Sequence, residues 1–143
     1  MGQICLDWLN DKVFAIREAA IANLRELSQI VGPKWLEKHA IPKVLSFQRD
    51  TNYLYRLTTL FSISRLVEFM PPESFQRVIV PAVIAMAPDK VPNVRMNVAK
   101  TLRECRRLVK DKDVANRIYA ALANLAKDSD FDVCYHAKVA IEA

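Results

Sequence analysis

Glycine is almost missing from this chain. Among 143 residues there are two, Gly2 and Gly32. That excludes Gly-rich loops that cradle phosphate, and it argues against tight β-hairpins and flexible linkers. Histidine is as scarce, with only His39 and His136. His136 lies two residues from Cys134, so the two would point to different sides of a helix, and no third ligand stands near either histidine. Cys5, Cys105 and Cys134 are odd in number, widely spaced and form no CxxC. They read as reduced thiols of a cytoplasmic or nuclear protein rather than as a disulfide frame. No apolar run is long enough to span a bilayer, and no secretory leader is visible. The opening Met-Gly lacks the Ser or Thr of a myristoylation signal at position 6, where Leu6 stands. No Ser-His-Asp order or paired-carboxylate cleft emerges. Asp128, Asp130 and Asp132 alternate like the start of a calcium loop, but its glycine and closing glutamate are missing, and helix capping is the better reading. The expectation is a protein with no cofactor, no metal and no catalytic chemistry of its own.

What the chain does have is bulk and repetition. Hydrophobic residues make up 52%, enough for a continuous core, while 26% charged residues and a formal charge of +5 are ordinary. A mildly basic balance permits acidic partners or nucleic acid without selecting them. Aspartates fall at Asp11, Asp50, Asp89 and Asp128, each 39 residues after the last. Six residues after the first three stand Arg17, Arg56 and Arg95, and eight before the second and third stand Pro42 and Pro81. A fixed period of this length marks a solenoid. Solenoids stack units into long surfaces that bind other macromolecules, so an all-α scaffold or binding module is the first expectation.

Each period holds two helical patterns. The first is represented by residues 35–48, 74–87 and 113–127. The second covers residues 13–31, 52–69, 93–109 and 131–142. In one second helix Val94, Val98, Leu102, Cys105 and Val109 recur at helical spacing as an apolar stripe. The aspartates fall in the turns between paired helices, where Asp and Asn cap free N–H groups. The prolines are expected at element edges and near helix starts. The single solenoid segment divides into four units at about 1–32, 33–71, 72–110 and 111–143. The first keeps little of its first helix, so Ile4, Leu6, Trp8 and Leu9 are expected to be more exposed than their counterparts in inner repeats, as in a piece of a longer array.

The pattern of proline, apolar pair, aspartate and apolar-arginine in helix–turn–helix units near 40 residues resembles the HEAT repeat. The stretches VFAIREAA (13–20), IPKVL (41–45), TNYLYRLTTLF (51–61), PAVIAMAPD (81–89) and NVRMNVAK (93–100) are more specific. They resemble the last four repeats of the scaffolding A subunits of type 2A protein phosphatases. The likeness is strong through Lys100 and weaker beyond it, and Cys134 stands where earlier units have arginine.

That resemblance implies an all-helical horseshoe, a HEAT-repeat α-solenoid of stacked antiparallel helix pairs, without activity. The family's early repeats hold regulatory subunits, and its last ones hold the phosphatase catalytic subunit through the turns between paired helices. On this chain those turn positions are Val13 and Phe14, Tyr53 and Arg56, Val91 and Asn93, and Phe131 with Asp132. Tyr, Phe and Arg are residue types favoured as interface anchors. From spacing alone, Phe14, Tyr53 and Phe131 could equally fold inward over the helix ends; the resemblance favours contact.

The arginines carry a second expectation. Arg17, Arg56 and Arg95 flank the apolar stripe, where each can reach an aspartate in the adjacent turn. The resemblance implies a ladder of Asp11, Asp50, Asp89 and Asp128 with these arginines, tying repeats together. Arg103, Arg106, Arg107 and Lys110 share one helix face. They read as a solvated face or as a basic stripe. The alternative functions are a nucleic-acid-binding HEAT protein using that stripe and a transport adaptor. Concentration of the cations in one unit disfavours nucleic acid, and no membrane partner is expected.

Overall fold

The computed structural model describes residues 1–143. The chain is 78% helical and has no strand. In order, its elements are α1 (Gly2–Trp8), α2 (Phe14–Val31), α3 (Pro33–Trp35), a π turn (Leu36–Ala40), α4 (Ile41–Leu45), α5 (Tyr53–Leu66) and a 3-10 turn (Val67–Phe69). There follow α6 (Pro72–Ser74), a second π turn (Phe75–Ile79), α7 (Val80–Ala85), α8 (Pro92–Leu108), α9 (Lys112–Leu125) and α10 (Phe131–Glu142). Two compact units result, Met1–Pro71 and Pro72–Ala143. Each holds two helix–turn–helix pairs, stacked as in a HEAT-repeat solenoid.

In the first unit α1 packs on α2, α4 on α5, and the second helices α2 and α5 lie against each other. Leu9, Leu24, Leu36, Leu60, Ile63 and Leu66 are fully buried there. Each such side chain contributes about 2 kcal/mol of burial free energy. In the second unit α8 packs against α7, α9 and α10 around Ile79, Leu102, Ile118 and Leu122. Ile4 and Trp8 are exposed as expected, but Leu6 and Leu9 are buried. The expectation fails for these two because α2, packed on α1, covers one face of that short helix.

Pro33, Pro72 and Pro92 open helices, as expected, but two prolines behave differently. Pro42 and Pro81 lie inside first helices rather than at their edges, each preceded by a π turn. A proline inside a helix clashes with the carbonyl four residues back and offers no N–H. The π turn admits one extra residue, so Ile41 donates to the Leu36 carbonyl and Val80 to the Phe75 carbonyl. The same register position in the last unit is Ala120, and there α9 runs without a π turn. Proline therefore accounts for the distortion.

Gly32 ends α2 with φ 85° and donates its N–H to the Ser28 carbonyl. A side chain at that positive φ would be strained, so the residue between the first two helix pairs is one of the two glycines.

Candidate partner-binding turns

All four inter-helix turns are built the same way. The Oδ1 atoms of Asp11, Asp50, Asp89 and Asp128 accept from the backbone N–H groups of Val13, Asn52, Val91 and Asp130, at 2.8, 2.8, 2.9 and 2.9 Å. This is an aspartate bonding two residues ahead, which closes a turn rather than caps a helix. The helix caps are the acceptor's partners themselves. Asn52 accepts from Leu54 N–H, and Asp130 accepts from Asp132 and Val133 N–H. Val13 and Val91 cap their helices with extended backbone only. The expectation that the repeated aspartates are the caps is corrected by two residues.

The arginine six residues on locks each turn from inside. Nη1 of Arg17, Arg56 and Arg95 donates to the carbonyls of Asp11, Asp50 and Asp89, at 2.9, 2.9 and 2.8 Å. Where the last unit substitutes Cys134, its Sγ donates instead to the Ala126 carbonyl at the end of α9, at 3.1 Å. Arg56 is 7% exposed and also donates to the Thr51 carbonyl. It faces the turn's interior, so the expectation of Arg56 beside Tyr53 on the contact surface gives way to a structural role.

The ladder between neighbouring pairs differs between the two units. In the second, Arg95 grips Asp128 at two points, Nε to Oδ2 at 2.7 Å and Nη2 to Oδ1 at 3.0 Å. The hydrogen bond from Arg95 holds the Asp128 carboxyl below the usual carboxylate range, burial opposes it, and the Asp130 N–H reinforces it. The guanidinium is correspondingly raised, chiefly by the same bond. In the first unit Arg17 gives its Nε to the Thr58 hydroxyl at 3.1 Å, not to Asp50. Thr58 offers an acceptor because its own hydroxyl donates to the Leu54 carbonyl. The expected Arg17–Asp50 rung is not formed.

With their backbones fixed, the turns present side chains to solvent. Residues 14, 53, 92 and 131 are one register position: Phe14, Tyr53, Pro92 and Phe131. Phe14 is 50% exposed, Tyr53 39% and Phe131 80%; the Tyr53 and Phe131 rings face solvent, while the Phe14 ring leans edge-on against Phe61 with centroids 6.3 Å apart. Val13, Asn93 and Asp132 are exposed beside them, and Val91 is half-buried. Two tip residues escaped the sequence analysis, Leu54 and Pro92, both exposed. Counting 39 forward from Phe14 would have found Pro92, and counting back from Asn93 would have found Leu54.

The basic stripe does not hold together as a free face. Arg106 Nη1 donates to the carbonyls of Ala140 and Ile141 at 2.7 and 2.6 Å, closing the end of α10. Arg107 pairs with Glu104 at 3.3 Å on the surface, and Lys110 lies beyond the end of α8, so Arg103 and Arg107 are the members that stay exposed on the helix. No helix is long and apolar enough to cross a membrane.

No family model matches the chain. Among curated proteins it is similar to the regulatory A subunit of protein phosphatase PP2A from Saccharomyces cerevisiae, at 35% identity over 80% of this chain and 19% of that protein. The protein of the same name from Schizosaccharomyces pombe is 42% identical over 42% of this chain and 10% of its own length. That from Pisum sativum is 40% identical over 38% of this chain and 14% of its own length. The chain thus spans less than a fifth of the relatives it matches. It is a HEAT-repeat segment similar to the A subunit of this phosphatase.

Proposed function

We propose that this A-subunit-like segment is a non-enzymatic scaffold that docks the catalytic subunit of a type 2A serine/threonine phosphatase through the turn tips of its helix pairs. One observation carries the reading. A single register position places an exposed aromatic at three of four turns, Phe14, Tyr53 and Phe131, on backbone that an aspartate and an internal group hold rigid. Rigid presentation lowers the ordering cost of binding, and aromatic tips supply the area. The names of the similar proteins give the partner class; the assignment of contact to these tips is the reading advanced here.

Arg17, Arg56 and Arg95 act behind the tips, fixing turn geometry rather than touching the partner. Regulatory subunits would engage repeats other than these. Three free cysteines fit a reducing compartment, the cytoplasm or nucleus. The nucleic-acid alternative loses support because Arg106 is engaged inside the fold and Arg107 is paired with Glu104 at the surface.

The test is binding of purified catalytic subunit to the chain and to a Tyr53→Ala, Phe131→Ala double variant. Truncating a central anchor typically costs about 2 kcal/mol, or roughly 30-fold in affinity. Unchanged affinity of the folded double variant would remove the turn tips as the docking surface.

A further inference from the structure

A groove of about 600 Å³ runs between α2 and α5 in the first unit. Ligand sites commonly fall between roughly 300 and 1,000 Å³. It is distinct from the turn tips, sharing only Phe14 at one end. Its floor exists because Ala15, Ala19 and Ala22 follow one face of α2, and Phe61 of α5 forms the far wall. From Phe14 to Gln29 the lined stretch of α2 is about 22 Å long at 1.5 Å per residue. That is four turns, the footprint of a short peptide laid along a helix pair.

The groove also contains an incompletely partnered cation. Arg17 lines it and is 3% exposed. Its Nε serves Thr58 and its Nη1 serves the carbonyls of Asp11 and Lys12. Its plane lies against the rings of Phe14 and Tyr55, at 5.6 and 5.1 Å from their centroids. Nη2 meets no protein acceptor, and no carboxylate pairs with the group. Its register counterpart Arg95 spends the equivalent Nη2 on Asp128. No carboxylate offsets the Arg17 charge, and Nη2, the one nitrogen left open to solvent, is where a carboxylate from outside would complete it. The other charges narrow the occupant. Glu18 and Glu26 also line the groove, Arg25 is already paired with Glu68, and Arg65 completes the lining.

We propose that this groove docks a peptide segment that gives one carboxylate to Arg17, lays apolar side chains on the alanine floor, and carries basic residues toward Glu18 and Glu26. An acidic run would be repelled by those glutamates. A purely apolar segment would leave Arg17 as it is.

The probe is a blocked heptapeptide, Lys-Leu-Ala-Glu-Leu-Ala-Lys, titrated into the full chain and followed by NMR at the Arg17 Nε–H and the Ala19 and Phe61 amides. Its Gln-for-Glu analogue and 3-phenylpropionate are run beside it. The expected result is movement of all three signals by the Glu peptide, with binding at least tenfold weaker for the Gln peptide, about 1.4 kcal/mol. Ala19→Phe fills the floor from an exposed position, leaves the core intact, and should abolish the response. Equal binding of both peptides, a response that survives Ala19→Phe, or no peptide response at all overturns the proposal. A response to 3-phenylpropionate alone also overturns it, because the groove would then be a small-molecule pocket.

Discussion

Arg95 and Asp128 are joined by two hydrogen bonds across neighbouring helix pairs of the second unit, while Arg17 answers to a threonine in the first. Asp128 does two jobs, since its Oδ1 also accepts from the Asp130 N–H that closes the turn. Asp128→Asn keeps an oxygen for the turn and removes the charge. It should cost about 2 kcal/mol, as for hydrogen bonds to charged groups. Thr58→Val, which removes a neutral acceptor in the first unit, should cost about 1 kcal/mol. Urea unfolding of both variants checks the order; equal losses would contradict the distinction between the two units.

The same pair sets part of the acid response. Asp128 is depressed in the folded chain, so its contribution is present above the ordinary carboxylate range near about 4 and is lost as pH falls through the folded value. His136 is also lowered, mainly by burial and then by Lys100, with Asp132 opposing. Keeping it neutral favours folding above about 6.5, and that advantage declines as pH drops below. Stability should therefore fall in two stages on acidification. His136→Gln should remove the upper stage and Asp128→Asn the lower, measured by thermal melts from neutral to acid pH. A single stage unaltered by His136→Gln would refute the assignment.

Arg106 places its charge where helix carbonyls and the dipole's negative end favour it, at Ala140 and Ile141. Arg106→Ala should fray the last turn of α10 and cost about 1.5 kcal/mol. Arg103→Ala, on the exposed face of the same helix, should cost almost nothing. Amide exchange at residues 139–143 is the direct measure, and equal protection in both variants would show that the carbonyl contacts are idle.

The thiols should separate by environment. Burial, with Glu104 adding, pushes the Cys105 thiol up to about 12. The thiolate is the reactive form, so Cys105 should resist alkylation at pH 8 until the chain unfolds. Cys134 is partly exposed and should react first. Peptide mapping after brief iodoacetamide treatment decides this; labelling of Cys105 as fast as Cys134 would contradict the packing around it.

Much of this architecture was legible because a 39-residue register leaves little freedom. The ranges read for the second helices, 13–31, 52–69, 93–109 and 131–142, differ by three residues at most from α2, α5, α8 and α10, since apolar spacing and the Asp turns bracket them. The π turns were not legible, because hydrophobic periodicity does not register one inserted residue, although Pro42 and Pro81 marked the places. Leu6 and Leu9 were misjudged because burial depends on a neighbour, α2, whose packing no spacing gives. At the candidate site the sequence located the turns but not the direction of each side chain. Position alone could not tell that Arg56 points inward and Tyr53 outward, or that Thr58 would take the bond expected of Asp50.

The most direct test of the docking account is the affinity of the phosphatase catalytic subunit for four forms of the chain, measured by calorimetry after thermal melts show each is folded. The forms are the wild type, Tyr53→Ala with Phe131→Ala, Tyr119→Ala and Arg103→Glu. Tyr119 is an exposed aromatic in the middle of α9, away from any turn, and Arg103 is an exposed cation of α8. The account predicts that the turn double variant binds at least about 30-fold more weakly while the two controls match wild type. Wild-type affinity in the turn variant, with binding lost in Arg103→Glu, would contradict it and move the contact to the face of α8.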